Sequence, residues 1–152
     1  KKKYPKEILI FNVALSDKNE FLNFYRVGKK SQLASFEKNI QNFSYVDKKE
    51  IVKSKMKCQR GDTFISKINF NGKIDFIKID TEGYEYYVLK GLKNQFQKIK
   101  LILFEHHYHS MLLKKYKFRD IHNFLIKNNF KQIYKYKMAF RKTFEYVYEL
   151  QE

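Results

Sequence analysis

The sequence predicts an α/β domain built on a mainly parallel sheet and closed by an antiparallel strand pair. Three observations carry that reading. Residues 74–80 and 100–104 are short, nearly continuous apolar runs, the pattern of strands covered on both faces. Between them, Val88, Leu89, Leu92 and Phe96 fall on one face of a helix over 84–97. Strand and helix patterns then alternate, as they do where crossover helices join parallel strands.

Taken in order, Glu7 to Leu15 reads EILIFNVAL, an apolar run expected to be a buried strand. Ser16 to Asn19 is a turn cluster, and Phe21, Leu22, Phe24 and Tyr25 suggest a second strand. Residues 28–49 are weakly patterned and polar, the mark of a long loop. Ile51 to Gln59 alternates, with Lys53, Lys55 and Lys57 on one side, as an exposed strand does. Gly61-Asp62-Thr63 opens a short helical segment with Phe64, Ile65 and Ile68. Asn71-Gly72 marks the loop before the 74–80 strand. Gly91 is placed to bend or end the first part of the 84–97 helix. A helix over 118–128 presents Ile121, Phe124, Leu125 and Asn128 inward, and 130–136 with 144–150 form the closing pair. The 152 residues suffice for one domain with a core, read as spanning 1–152.

The net charge of +16 invites a polyanionic partner. Yet only four of the 32 basic residues are arginine, namely Arg26, Arg60, Arg119 and Arg141. Arginine's planar fork is what phosphate recognition favours. Lys, Asn, Ile, Phe and Tyr are the products of AT-rich codons, so codon bias, as in an AT-rich bacterial genome, accounts for the charge and nucleic acid is disfavoured as a partner. The single cysteine, Cys58, allows neither an internal disulfide nor a cysteine zinc site and fits a cytoplasmic setting. No apolar run approaches the length of a membrane span.

The chemistry concentrates at two strand ends. In IDFIKIDTEGYE, residues 74–85, alternation puts Phe76, Lys78 and Asp80 on one face. A buried Lys78 needs a partner, and Asp80 is the nearest carboxylate. Glu82 and Glu85 fall where a helix begins, which favours acids. Gly83 suggests a tight turn. The other strand ends FEHHYH, residues 104–109, bringing Glu105, His106, His107 and His109 together. Taken singly, each has an ordinary structural explanation: a cap, a solvated loop, or, for His122, a surface helix position. On adjacent strand ends they make a crevice able to hold sugar hydroxyls, a general base or a metal ion.

IDFIKIDTEGYEYYVLKG resembles the hallmark of the FkbM-type methyltransferases, whose signature is a hydrophobic strand, K-I-D-x-E-G-x-E, then x-x-V-L-x-G. Here those positions are Lys78, Ile79, Asp80, Glu82, Gly83 and Glu85, with Val88, Leu89 and Gly91 following. FNVALSDKNEFLNFY (11–25), RGDTFI (60–65), LILFEHH (101–107), FRDIHNFLIKNNFKQIYKY (118–136) and FEYVYEL (144–150) are similar to further family segments in order and spacing. Two positions depart from the pattern: residue 65 is not Asp, and Asn129 stands where glycine is frequent.

The resemblance implies a Rossmann-like methyltransferase fold and an O-methyltransferase that uses S-adenosylmethionine. The implied acceptor is a small molecule or glycan, with a saccharide hydroxyl foremost. It implies Asp80, Glu105 and His107 as catalytic, and Ala14, Leu15 and Asp80 as cofactor-binding. Lys78, Glu82, Glu85 and His106 are implied to bind substrate. No metal ligand is assigned. The family's glycine-rich loop and the acidic end of its second strand have no counterpart here. Both are expected upstream of Lys1, so the chain is read as the C-terminal two-thirds of the enzyme, lacking the N-terminal strand–helix units and inactive alone. Two other readings stand beside this one. The first is a basic nucleic-acid module, supported by the interleaved bases and aromatics of 127–142. The second is a non-catalytic remnant.

Overall fold

The structure is a computed structural model that describes residues 8–28, 34–36, 47–108, 114–139 and 142–151. His109, Arg141 and most of the 28–49 loop lie outside them. Eight strands and three α-helices are described: β1 (Ala14–Ser16), β2 (Glu20–Val27), β3 (Ala34–Ser35), β4 (Ile51–Arg60), α1 (Gly61–Lys67), β5 (Ile74–Ile79), α2 (Glu85–Gly91), β6 (Ile99–His107), α3 (Phe118–Ile126), β7 (Phe130–Lys137) and β8 (Thr143–Leu150). A 3-10 helix, Lys93–Lys98, follows α2, so the 84–97 segment is two pieces divided just after Gly91.

The strands form two four-stranded sheets, ordered β1-β4-β2-β3 and β5-β6-β8-β7. Of the six described pairings, β1 with β4 and β5 with β6 are parallel, and the other four are antiparallel. The fold is therefore mixed α/β. The parallel majority expected from the alternation of elements is not what the described pairings contain. The reason lies in β2 and β4. They pair antiparallel along eight residues, from Glu20 opposite Cys58 to Val27 opposite Ile51. Lys53, Lys55 and Lys57 are exposed there, as an antiparallel ribbon open to water allows.

The expected buried strand over 7–15 is also corrected. Only Ala14–Ser16 pair, and Ile8, Leu9, Ile10 and Phe11 are exposed, Leu9 at 75%. Hydrophobic continuity reports an appetite for burial, and no described element covers this stretch. Phe11 alone finds a ring partner, meeting Phe64 edge-on at 5.2 Å.

The core lies between the second sheet and the helices. Ile79, Ile102, Phe104, Tyr146 and Tyr148 meet Val88, Leu89, Leu92, Phe96, Ile121 and Leu125, all buried. Tyr146 and Tyr148 stack against Phe104, with ring centroids 5.6 and 5.7 Å away. The first sheet is joined to this core at the end of β1. There Ser16 Oγ lies 2.9 Å from the Tyr84 hydroxyl, and Lys90 reaches Asp17 at 2.8 Å. Asn129, where glycine is frequent in the resembling family, has φ +65°, a left-handed angle that asparagine tolerates better than most residues. Among the described residues no helix is long and apolar enough to cross a membrane.

Candidate active site

Strand pairing decides which functional residues meet. β5 and β6 run parallel with Ile79 opposite Phe104, so Asp80 and Glu105 follow side by side at their carboxyl ends. β8 runs antiparallel on the other edge of β6, placing Glu145 opposite Glu105 and Thr143 opposite His107. One row of the sheet thus carries Asp80, Glu105 and Glu145. Like charges set directly across a sheet repel, so the row needs compensation.

His107 supplies part of it. Its Nε2 lies 3.2 Å from Glu82 Oε2 and 3.2 Å from Glu105 Oε1. On the far side of the ring, Nδ1 lies 3.0 Å from Thr143 Oγ1. Two carboxylates at Nε2 favour a proton there, and the Thr143 hydroxyl can then donate to Nδ1. The imidazole is buried, whereas the side chains of Glu82 and Glu105 keep 31% and 12% of their exposure. Burial raises the Glu105 carboxyl above its ordinary range; His107 draws it down, and Asp80, Glu82 and Glu145 push it further up.

Lys78 pairs with Asp80 at 3.3 Å, the partner expected for it. The premise of burial was wrong, because both side chains are about half exposed, at 53% and 44%. Phe76, on the same face, is exposed too, so this side of β5 is open. Asp80 also lines a cleft of about 530 Å³ between the two sheets, together with Ala14, Leu15, Lys78 and Thr81. Its remaining walls, including Phe64, Ile77, Val88 and Leu92, are apolar. The three residues expected at the cofactor therefore share one cleft, and its volume lies within the range of small-molecule sites.

Two expected substrate residues are placed elsewhere. His106 points to the opposite face of β6 from Glu105 and His107, as alternation requires. It packs edge-on against Tyr108 and Phe118, with ring centroids at 4.8 and 5.7 Å. Burial first, then the nearby Lys114 and His107, drive its pKa down to about 3, so the ring is neutral. Neither His106 nor His107 is on a solvated loop, since both are buried in β6. Glu85 is wholly buried. It accepts from the Gly83 amide at 2.9 Å, the Thr81 amide at 3.3 Å and the Thr81 hydroxyl at 3.2 Å. His122 is half-buried and bonds the Tyr148 hydroxyl at 2.8 Å, so it is not a plain surface residue.

Sequence reasoning missed Thr143, Glu145 and Tyr116. The first two are set by the register of β8 on β6, which a periodicity cannot show. Tyr116 comes from the segment before α3, and nothing local marks it. Among the described residues, no group of three or more His, Cys, Asp or Glu side chains is arranged to hold a metal ion.

No curated protein and no solved structure is significantly similar to the chain. A family profile does match. The Methyltransferase FkbM domain covers residues 1–136, a span that includes the β5 turn, Glu105 and His107. The chain belongs to the FkbM methyltransferase domain family.

Proposed function

We propose that this domain transfers a methyl group from S-adenosylmethionine to a hydroxyl oxygen, with a saccharide or glycoconjugate as the acceptor class. The observation that carries the reading is the imidazole of His107, held between Glu82 and Glu105 at the carboxyl ends of β5 and β6 beside Asp80. Open α/β sheets use that end for ligands.

When bound, S-adenosylmethionine supplies an electrophilic methyl group on a positively charged sulfur. The cleft suits that end of the molecule: Ala14 and Leu15 offer apolar wall, and Asp80 offers a reachable negative charge. The acceptor oxygen bonds to the methyl carbon as the carbon–sulfur bond breaks, and the hydroxyl proton must leave. Glu82, the more exposed carboxylate on His107, takes that proton. The Nε2–H of His107 faces both carboxylates and holds Glu82 in place beside Glu105, while Thr143 keeps the ring oriented.

The test is radiolabel transfer from methyl-labelled S-adenosylmethionine by the full-length protein to a panel of saccharides, with cofactor binding followed by calorimetry. Transfer to oxygen should fall on the order of 100-fold in His107→Gln, because the base then loses the group that positions it. Cofactor affinity should hold. Transfer that survives His107→Gln unchanged, or a protein that binds no S-adenosylmethionine, sinks the proposal.

A second reading has β7 in its favour. Ile133, Tyr134 and Tyr136 are exposed beside Lys131, Lys135 and Lys137, and such interleaving suits single-stranded nucleic acid. Lys135 is partly engaged, with Nζ 4.7 Å from the Phe144 ring centroid. Salt-sensitive binding of an oligothymidylate, lost in Tyr134→Ala, is what this reading requires.

A further inference from the structure

The turn between β5 and α2 holds a backbone that its sequence does not favour. Glu82 has φ +49° and Gly83 φ +100°, both left-handed. Glycine takes such an angle freely, whereas a glutamate there is uncommon. Something must hold it, and the structure shows what does. The Glu85 carboxylate reaches back over the turn and accepts from the amides of Thr81 and Gly83, one on each side of Glu82. The Tyr116 hydroxyl arrives from the chain before α3. It lies 2.7 Å from Glu85 Oε2 and 2.9 Å from the Gly83 carbonyl oxygen, so its single proton is shared between them. Glu85 and Tyr116 are both buried. Ser35 Oγ donates to the Glu82 carbonyl at 2.8 Å and steadies the same residue from the first sheet.

We propose that Glu85 and Tyr116 are positioning residues: together they lock the left-handed Glu82–Gly83 backbone and so deliver the Glu82 carboxylate to His107. The inference rests on the methyl-transfer reading only in assigning that contact a role in the reaction. A glutamate that merely favoured the start of α2 would point along the helix and leave the amides of Thr81 and Gly83 to other partners. Here the charge is taken wholly out of water, which is tolerated only because four donors meet it. A hydrophobic residue at 85 would fill the volume but release the turn, and with it the Glu82 side chain.

The experiment compares the full-length protein with Tyr116→Phe, which removes one hydroxyl, and Glu85→Gln, which removes the charge. Two readouts are taken by NMR without substrate: exchange of the Gly83 amide hydrogen and the ring resonances of His107, with His122 as the control. Exchange at Gly83 should quicken on the order of tenfold in at least one variant, as loss of a charge-assisted bond implies. In that variant the His107 ring signals should shift while those of His122 stay. Faster exchange with unmoved His107 signals would make the clasp structural only and overturn the proposal, as would unchanged exchange in both variants. The third readout is a cycle with Glu82→Gln in methyl transfer. Residues acting through Glu82 should lower kcat on the order of tenfold, leave KM for S-adenosylmethionine unchanged, and add nothing once Glu82 is replaced. Additive losses overturn the proposal. A wild-type protein without methyl transfer would defeat the enzymatic reading, and the NMR comparison would still decide the clasp.

Discussion

Gly91, the last residue of α2, faces the backbone carbonyl of Ser16 at the end of β1 so closely that a methyl group on Gly91 would overlap that oxygen. A helix that uses glycine gives up about 1 kcal/mol relative to alanine. The contact accounts for that loss, because it lets the core helix touch the first sheet. The same approach brings Lys90 to Asp17 and Tyr84 to Ser16.

Gly91→Ala should therefore destabilise despite its better helix propensity. Overpacking against backbone costs roughly 1–3 kcal/mol, since a carbonyl cannot turn aside as a flexible side chain can. Urea unfolding monitored by circular dichroism should show a lower midpoint. An unchanged or raised midpoint would mean that the two sheets are not tied at this point.

His106 should make the protein acid-sensitive. Its folded pKa of about 3 lies below its ordinary value, so the folded state holds it neutral while the unfolded chain takes up a proton. The stability this preserves is complete above about pH 6.5 and is lost as pH falls toward 3, with a limiting slope of about 1.4 kcal/mol per pH unit. In His106→Gln the difference in unfolding free energy between pH 7 and pH 4.5 should be smaller than in the wild type. An equal difference in both proteins would assign the acid sensitivity elsewhere.

Glu105 should show the opposite sign. Its pKa is raised on folding, by burial first, so ionisation weighs against the folded state. The favourable contribution is present below the unfolded pKa and is lost as pH rises through the folded one. Glu105→Gln carries no such burden. Its stability relative to wild type should therefore climb as pH goes from 4 to 7, while methyl transfer is lost. A relative stability that falls over that range would contradict the burial of this carboxylate.

Lys78→Met should barely alter stability. The pair with Asp80 is half exposed, and such pairs contribute about 0–1 kcal/mol. The variant should instead weaken methyl transfer, because Asp80 at the rim of the cleft would lose its neighbour. Thermal unfolding and transfer assays on one preparation separate the two effects. A loss of several degrees in Tm with transfer intact would reverse the assignment.

Much of the architecture was legible from local pattern. The apolar runs at 74–80 and 100–104, the stripe through Val88, Leu89, Leu92 and Phe96, the break at Gly91 and the closing pair β7–β8 all follow from spacing, because backbone geometry and burial act within a few residues. The pairing of Lys78 with Asp80 was equally local. What failed depended on what lay above each strand. Residues 8–11 have the composition of a covered strand and are exposed, and Lys78 was expected to be buried and stands half in water. Period alone cannot say whether the far face of a sheet is covered.

The sequence by itself determined the family signature, the order of the longer elements (β3, Ala34–Ser35, fell in the expected 28–49 loop), and that acids and imidazoles would gather at the ends of β5 and β6. Only the tertiary structure decided which of them meet. The parallel register of β5 on β6 set Asp80 beside Glu105, and the antiparallel register of β8 brought Thr143 to His107. The left-handed turn, clasped by Glu85 and Tyr116, carried Glu82 to the same imidazole while strand alternation turned His106 away. Those contacts join residues between 25 and 36 positions apart (His107 with Glu82, Tyr116 with Glu85, His107 with Thr143), and such long-range register is set by packing of the whole core rather than by any preference of the residues themselves.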